Sequence, residues 1–304
     1  MSAPYDPFAS GPFAVRERTF EARDAARGRN FPCETWEPVD GGEGPRPLVL
    51  FSHPSGSHRR SATFLCGHLA SHGYGVAALD HSETVAPELK RPEGEDAAGR
   101  AARIEAIVAS RVPDLRLLLD RMFADGTAGA GVDAARVGVA GHSFGGWAAL
   151  AAAQADTRIA SVVALAPGGA SNPRPGILPL SLGFDRRPPV PTLYIVAEDD
   201  TSLPLAGMHE IFERTPAPKR MAILARADHC HFMDDTEAVH EETRTLDWPP
   251  ELAWMRAMKP IGELCTGEEA HRFIRAAALC HFDATLRADG RAVACLAGIL
   301  AARA

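Results

Sequence analysis

The residues best suited to covalent chemistry lie in Val137-Gly138-Val139-Ala140-Gly141-His142-Ser143-Phe144-Gly145-Gly146-Trp147, where a serine is framed as G-x-S-x-G. A Val-rich run precedes the motif and an Ala-rich run follows it, the pattern of a strand turning sharply into a helix. At such a corner the serine sits on a strained turn. The flanking glycines are needed because a side chain there would strike neighbouring backbone. The turn also puts Ser143 at a helix N-terminus, where free N–H groups and the helix dipole stabilise developing negative charge. The chemistry implied is attack of the Ser143 hydroxyl on a carbonyl carbon. A chance G-x-S-x-G in a glycine-rich loop is the plain alternative, and the strand before and helix after weigh against it.

A serine hydroxyl is a weak nucleophile, so a histidine must take its proton and a carboxylate must orient that histidine. Two later apolar runs end in such groups. Pro191 to Ala197 leads into Glu198-Asp199-Asp200, and Arg220 to Arg226 leads into Ala227-Asp228-His229-Cys230-His231. Asp200 is preferred over Asp199 because Asp-x-x-x-Pro, here Asp200 to Pro204, is a common hydrolase spacing after such a strand. His229 directly follows the run and its turn, whereas His231, two residues on, suits packing or hydrogen bonding. The tetrahedral oxyanion needs N–H donors, one from the residue after the nucleophile and one from the loop Phe51-Ser52-His53-Pro54-Ser55-Gly56. Proline has no N–H, which leaves the amides of Ser55 and Phe144 as the pair.

These groups can meet only if a framework presents their loops on one side. Phe13 to Phe20 and Phe31 to Trp36, joined by a turn around Gly28, read as an antiparallel start to a sheet. Leu48 to Phe51 is a continuous apolar run, as in a strand buried on both faces. Helix-like Ser61 to Ser71, strand-like Tyr74 to Leu79, helix-like Asp96 to Phe123 with a break near Pro113, and strand-like Val137 to Ala140 follow. The alternation continues with helix-like Phe144 to Ala155, strand-like Ile159 to Ala166 and Pro191 to Val196, helix-like Leu205 to Phe212 and strand-like Arg220 to Leu224. Helical segments near Glu268 to Ala278 and Ala292 to Ala302 end the chain. The pattern predicts an α/β fold: a mostly parallel central sheet with an antiparallel N-terminal start and helices on both faces. Between Arg103 and Arg121, residues Ile104, Ile107, Val108, Leu115, Leu118 and Leu119 make one apolar face, and the charges read as a solvated one. Residues 81–99 and 168–191 are long, Pro- and Gly-containing loops and are expected to form the rim of a site. Gly41-Gly42 and Gly168-Gly169 lack the lysine and spacing of phosphate loops and read as turns. With no repeat, low-complexity tract or linker, 1–304 reads as one domain whose first 12 residues are flexible.

Composition narrows the function further. The 304 residues are 46% hydrophobic and 23% charged with a net charge of −7, which is globular rather than disordered and disfavours nucleic acid as a partner. The first residues lack the basic and apolar segments of a secretory signal, and no apolar run approaches the ~20 residues of a membrane span. A cytoplasmic location is therefore expected. The six cysteines show no CxxC spacing and read as free thiols. Cys230, His231, Cys265, His271, Cys280 and His281 match no structural zinc spacing, so no metal is expected. Oligomeric state is left open.

Phe51-Ser52-His53, Leu69-Ala70-Ser71-His72-Gly73-Tyr74, Gly141-His142-Ser143-Phe144-Gly145-Gly146 and His229-Cys230-His231-Phe232-Met233-Asp234 together resemble the plasma-type platelet-activating-factor acetylhydrolase and dienelactone-hydrolase-like branch of the α/β-hydrolases. The likeness spans roughly residues 12 to 290. It implies an α/β-hydrolase fold and a serine-dependent carboxylic ester hydrolase with Ser143, Asp200 and His229 as triad, needing no cofactor and taking a small-molecule ester. Pro54 stands where relatives usually have glycine. Serine also stands where dienelactone hydrolases proper use cysteine, so thiolate chemistry does not carry over. Few apolar groups in the rim loops predict short or compact acyl groups. An amidase or peptidase could use the same triad, and a catalytically silent binding module is the alternative that complete catalytic positions argue against.

Overall fold

A computed structural model describes residues 5–39, 44–124 and 131–301. Strands β1 (Val15–Asp24) and β2 (Arg29–Pro38) pair antiparallel through a tight turn in which Gly28 has φ 64°. β3 (Arg46–Ser52), helix α1 (Thr63–Ser71) and β4 (Gly75–Leu79) follow; then come a short helix α2 (Ser82–Val85), the long helix α3 (Ala97–Phe123), β5 (Val132–His142) and α4 (Phe144–Ala155). β6 (Ile159–Leu165), β7 (Thr192–Ala197), α5 (Leu205–Arg214), β8 (Lys219–Leu224), α6 (Thr236–Thr245), α7 (Gly267–Leu286) and α8 (Gly290–Ala301) complete the order. The eight strands form one sheet, β1-β2-β4-β3-β5-β6-β7-β8, antiparallel from β1 to β4 and parallel from there on.

The continuous apolar runs fill both faces by alternation. In β3, Val49 and Phe51 join the layer that contains Leu65 and Leu69 of α1, Leu279 and Phe282 of α7 and Leu296 of α8. Leu48 and Leu50 point the other way, toward Leu115, Leu118 and Leu119 of α3, Ala148 and Ala152 of α4 and Ile211 of α5. A strand covered on both faces can be apolar at every position, which is why these runs lacked a period of two. The expected α/β architecture is what the chain adopts.

Five readings of detail need correction or placement. α3 runs unbroken through Pro113, because Arg111 before it and Asp114, Leu115, Leu118, Leu119 and Met122 after it are all buried and hold both halves in place. The charges of this helix are not all solvated, since Arg111 and Asp114 are 0% exposed. The expected loop 81–99 contains α2 and a 3₁₀ turn at Pro87–Leu89. Residues 5–12, expected to be flexible, lie against α1 and α7: Tyr5 donates to Asp283 at 2.9 Å, His68 reaches the Pro7 carbonyl at 3.1 Å and the Gly11 N–H donates to Ser71 Oγ at 2.9 Å. The turn read at Gly41-Gly42 and residues 1–4 lie outside the described residues.

Candidate active site

Ser143 occupies the corner between β5 and α4 with φ 58° and ψ −117°, a backbone conformation that costs a side-chain-bearing residue roughly 1–3 kcal/mol. The surroundings hold it there. Ser143 N donates to the Leu165 carbonyl at the end of β6 at 2.9 Å, and its own carbonyl accepts from Trp147 N at 3.1 Å and Gly168 N at 3.0 Å. A Cβ on Gly141 would lie 2.2 Å from the Gly145 carbonyl oxygen, and one on Gly145 would lie 1.9 Å from that of Ser52. Both glycines of the motif are thus required by close backbone approach. The Ser143 side chain makes no capping hydrogen bond to its own helix.

The three acidic residues after β7 go different ways. Glu198 accepts from Arg226 N at 3.1 Å, and Asp199 pairs with Lys259 at 2.7 Å near the surface. Asp200, buried, accepts from Leu203 N at 2.6 Å through Oδ1 and meets His229 Nδ1 at 2.7 Å through Oδ2. The carboxylate therefore fixes His229 with a proton on Nδ1, leaving Nε2 as the basic nitrogen. Burial works against the charged ring, but the Asp200 charge and hydrogen bond outweigh it, and the pKa is raised above the usual histidine value.

His231 has a different occupation. Its Nε2 donates to the Cys265 carbonyl at 3.0 Å and its Nδ1 accepts from Asp228 N at 3.0 Å, deep in the interior. Asp228, also buried, accepts from His229 N at 2.6 Å and from Thr201 N and Oγ1 at 2.8 Å each. One carboxylate ties the turn carrying Asp200 to the turn carrying His229. The His229 ring lies 4.6 Å, centroid to centroid, from that of His142, the residue before Ser143. His142 is fully buried, and burial followed by the His229 charge pushes its pKa well below the ordinary value, so it stays neutral.

Ser55 and Phe144 flank the same corner, one past the end of β3 and one opening α4. Neither amide has a backbone acceptor among the described residues. The His53–Pro54–Ser55 turn passes close to α4, since the Gly145 Cβ position would also be 2.6 Å from the His53 carbonyl oxygen.

Sequence reasoning missed two groups around this site. Arg111 and Asp114 fall at the i, i+4, i+7 spacing of Ile107, Leu115 and Leu118, so their helical register already placed them on the apolar stripe of α3. The second group is the 3₁₀ segment Pro250–Ala257. Met255 and Met258 pack there with Cys230, Trp248, Leu252 and Trp254, and Trp254 Nε1 donates to the Pro175 carbonyl of the 168–191 loop at 3.1 Å. Its signal was the recurrence of Trp and Met at Trp248, Trp254, Met255 and Met258 in an otherwise polar stretch.

A family model described as platelet-activating factor acetylhydrolase, isoform II, matches residues 23–96. That stretch contains β2 to β4 and the His53–Ser55 turn but stops short of Ser143, Asp200 and His229. No curated protein sequence matches the chain. Among solved structures, the ferulic acid esterase from Streptomyces cinnamoneus is similar over 91% of this chain and 91% of its own, with a TM-score of 0.66 and 23% sequence identity. The resemblance read from the motifs is thus met by a sequence match over the β2–β4 region and by a structural match over nearly the whole length, and the chain has the α/β-hydrolase fold.

Proposed function

We propose that the chain is a serine esterase, one domain spanning 1–304, that hydrolyses esters of short or compact acyl groups without a metal or organic cofactor. The observation that carries the reading is the conformation of Ser143, strained at a strand–helix corner next to His142, whose ring lies 4.6 Å from that of His229, itself held at Nδ1 by a buried carboxylate. Nothing in simple packing requires a non-glycine residue at φ 58° there, whereas an exposed nucleophile does.

In the proposed reaction, Ser143 Oγ attacks the ester carbonyl carbon while His229 Nε2 takes the hydroxyl proton and Asp200 stabilises the resulting imidazolium. The Ser55 and Phe144 N–H groups donate to the oxyanion. Collapse of the tetrahedral intermediate breaks the bond to the alcohol oxygen, which takes the proton from His229 and leaves an acyl-serine. Water, deprotonated by the same nitrogen, then attacks the acyl carbon, and collapse returns the proton to Ser143 and frees the acid.

Ester rather than amide cleavage is favoured by the two likenesses, to an acetylhydrolase family and to a ferulic acid esterase. A compact acyl group is favoured by the rim, because Leu180 and Leu182 of the 168–191 loop turn inward onto the core. Six unpaired cysteines, five of them buried, agree with a cytoplasmic setting. The test is turnover of p-nitrophenyl acetate, methyl ferulate and matched anilides by the wild-type chain and Ser143→Ala. Ser143→Ala is expected to cut ester turnover by about 10⁴- to 10⁶-fold with the fold intact. Near-normal turnover by a folded Ser143→Ala variant rejects the reading.

A further inference from the structure

Resting on the serine-esterase reading, we propose that Arg111 is a positioning residue for both oxyanion donors: it clamps the backbone turn that aims the Ser55 N–H and covers the ring of Phe144. The guanidinium is 0% exposed and belongs to α3, an element that contributes no member of the triad. Its Nη1 donates to the His53 carbonyl at 2.6 Å and its Nη2 lies 3.5 Å from the Pro54 carbonyl. Nη1 also lies 3.4 Å from Ser52 Oγ, and the Cζ atom sits 4.2 Å from the centre of the Phe144 ring. Glu83 of α2 holds the guanidinium by a short ion pair to Nη2 and accepts from Nε at 3.2 Å.

The geometry acts on the donor through the peptide unit. Pro54 C=O and Ser55 N–H belong to one peptide group, and it is not among the cis bonds of the chain. In a trans peptide the carbonyl and the N–H point in opposite directions, so fixing one aims the other. The Pro54 carbonyl is held by side chains from two directions, in addition to a 3.4 Å bond from Ser57 N within the turn. His53 Nε2 accepts from His81 N at 3.1 Å, which leaves the ring proton on Nδ1, and that Nδ1 donates to the Pro54 carbonyl at 2.7 Å; Arg111 adds its longer contact from the α3 side. Burial keeps His53 neutral, so this tautomer does not change across the working pH range. Donation to the carbonyl also polarises the peptide and strengthens its N–H as a donor.

Stability alone is a weak account of the arrangement. Burying a guanidinium and a carboxylate together is close to break-even against apolar residues of the same size. What the pair adds is a rigid planar group presenting donors to two successive carbonyls, with its face on Phe144. Proline at 54 makes such support useful, because this turn, lacking the Pro54 N–H, is held through its carbonyls.

The experiment compares wild type with Arg111→Lys and with the double variant Arg111→Met/Glu83→Gln, which removes both charges together and leaves none unpaired. Three quantities are measured on each protein: kcat and KM for p-nitrophenyl acetate, affinity for a short alkyl trifluoromethyl ketone, and affinity for the matching methyl ketone. The trifluoromethyl ketone forms a tetrahedral adduct whose oxygen needs the donors, and the methyl ketone does not. Circular dichroism and Tm confirm folding. In the folded variants kcat should fall roughly 10- to 100-fold with KM within threefold, the size expected for donors displaced by a fraction of an ångström to about 1 Å. Trifluoromethyl ketone affinity should fall in parallel while methyl ketone affinity holds. Equal loss of both affinities, or wild-type kcat in the folded double variant, overturns the clamp. A wild-type chain that forms no adduct on Ser143 overturns the esterase reading itself, a result recognisable because it appears before any change at Arg111.

Discussion

Gly145→Ala is a sharp test of how closely the oxyanion turn and the elbow are built against each other. The added Cβ would lie 1.9 Å from the Ser52 carbonyl oxygen, 2.5 Å from its carbon and 2.6 Å from the His53 carbonyl oxygen, where real Cβ contacts essentially never come under 3.0 Å. All three atoms are backbone, so relief requires α4 or the end of β3 to move by about 1 Å. Overpacking of this kind costs about 1–3 kcal/mol and should lower Tm by roughly 2–10 °C in a chain of this size. The activity loss should exceed what the stability loss explains. A shift of about 1 Å between a nucleophile and its donors costs on the order of 10² in rate, and at a temperature where the variant is fully folded kcat for p-nitrophenyl acetate should fall by that factor. Gly298→Ala in α8, where a Cβ meets nothing within 4 Å, is the control and should raise stability by about 0.5–1 kcal/mol with kcat unchanged. Wild-type kcat/KM and Tm in Gly145→Ala would refute the argument, because the contact it depends on could not then exist.

Because the raised pKa of His229 follows from Asp200, kcat/KM should rise with pH through an apparent pKa above the usual ~6.5, and a midpoint at or below that value would remove the assigned coupling. Stability runs the other way: the charged pair contributes fully below the unfolded pKa of ~6.5 and is lost as pH rises through the higher folded value, which Tm against pH will show. His229→Ala should abolish turnover and, by stranding the buried Asp200 carboxylate, also cost about 1–3 kcal/mol of stability. His231→Ala, which strands the Asp228 N–H and the Cys265 carbonyl, should cost about 1–3 kcal/mol of stability while keeping most of kcat, and the opposite pattern would move the base by two residues. Across p-nitrophenyl esters from C2 to C16, kcat/KM should peak between C2 and C6, and a steady rise beyond C8 would overturn the compact-acyl reading, since each buried CH₂ would then be adding toward its ~0.8 kcal/mol.

The sequence was most legible where local chemistry and periodicity agreed. The Gly141–Gly145 elbow could be read because glycine at both positions answers a local steric demand, and Leu48–Phe51 because a strand covered on both faces is apolar throughout. The choice among Glu198, Asp199 and Asp200 rested on spacing to Pro204, and the structure brings Asp200 to His229 while sending Asp199 to Lys259. Long-range partners were not legible. Arg111 reads as one more charge on an Arg-rich helix until Glu83 and the His53 carbonyl, 28 and 58 residues away in sequence, are folded around it. Pro113 misled for a related reason: local propensity argues for a break, but tertiary packing on both sides carries α3 across it.

The order of strands explains why the proposed parts can cooperate at all. Across the sheet the relevant neighbours run β3, β5, β6, β7, β8. The Ser55 turn leaves β3 and Ser143 follows β5, and because these strands are hydrogen-bonded neighbours the Ser55 turn and the Phe144 amide share one corner. Asp200 follows β7 and His229 follows β8, again neighbours, so the Asp200–His229 bond spans one strand interval and Asp228 can brace both turns. β6 lies between the pairs and sends no triad residue into the site; instead its Leu165 carbonyl takes the Ser143 N–H. The middle strand therefore anchors the strained residue while its neighbours on either side supply donors and base. Parallel strands put all these turns at one end of the sheet, where the His229 ring comes within 4.6 Å of that of His142, the residue before Ser143.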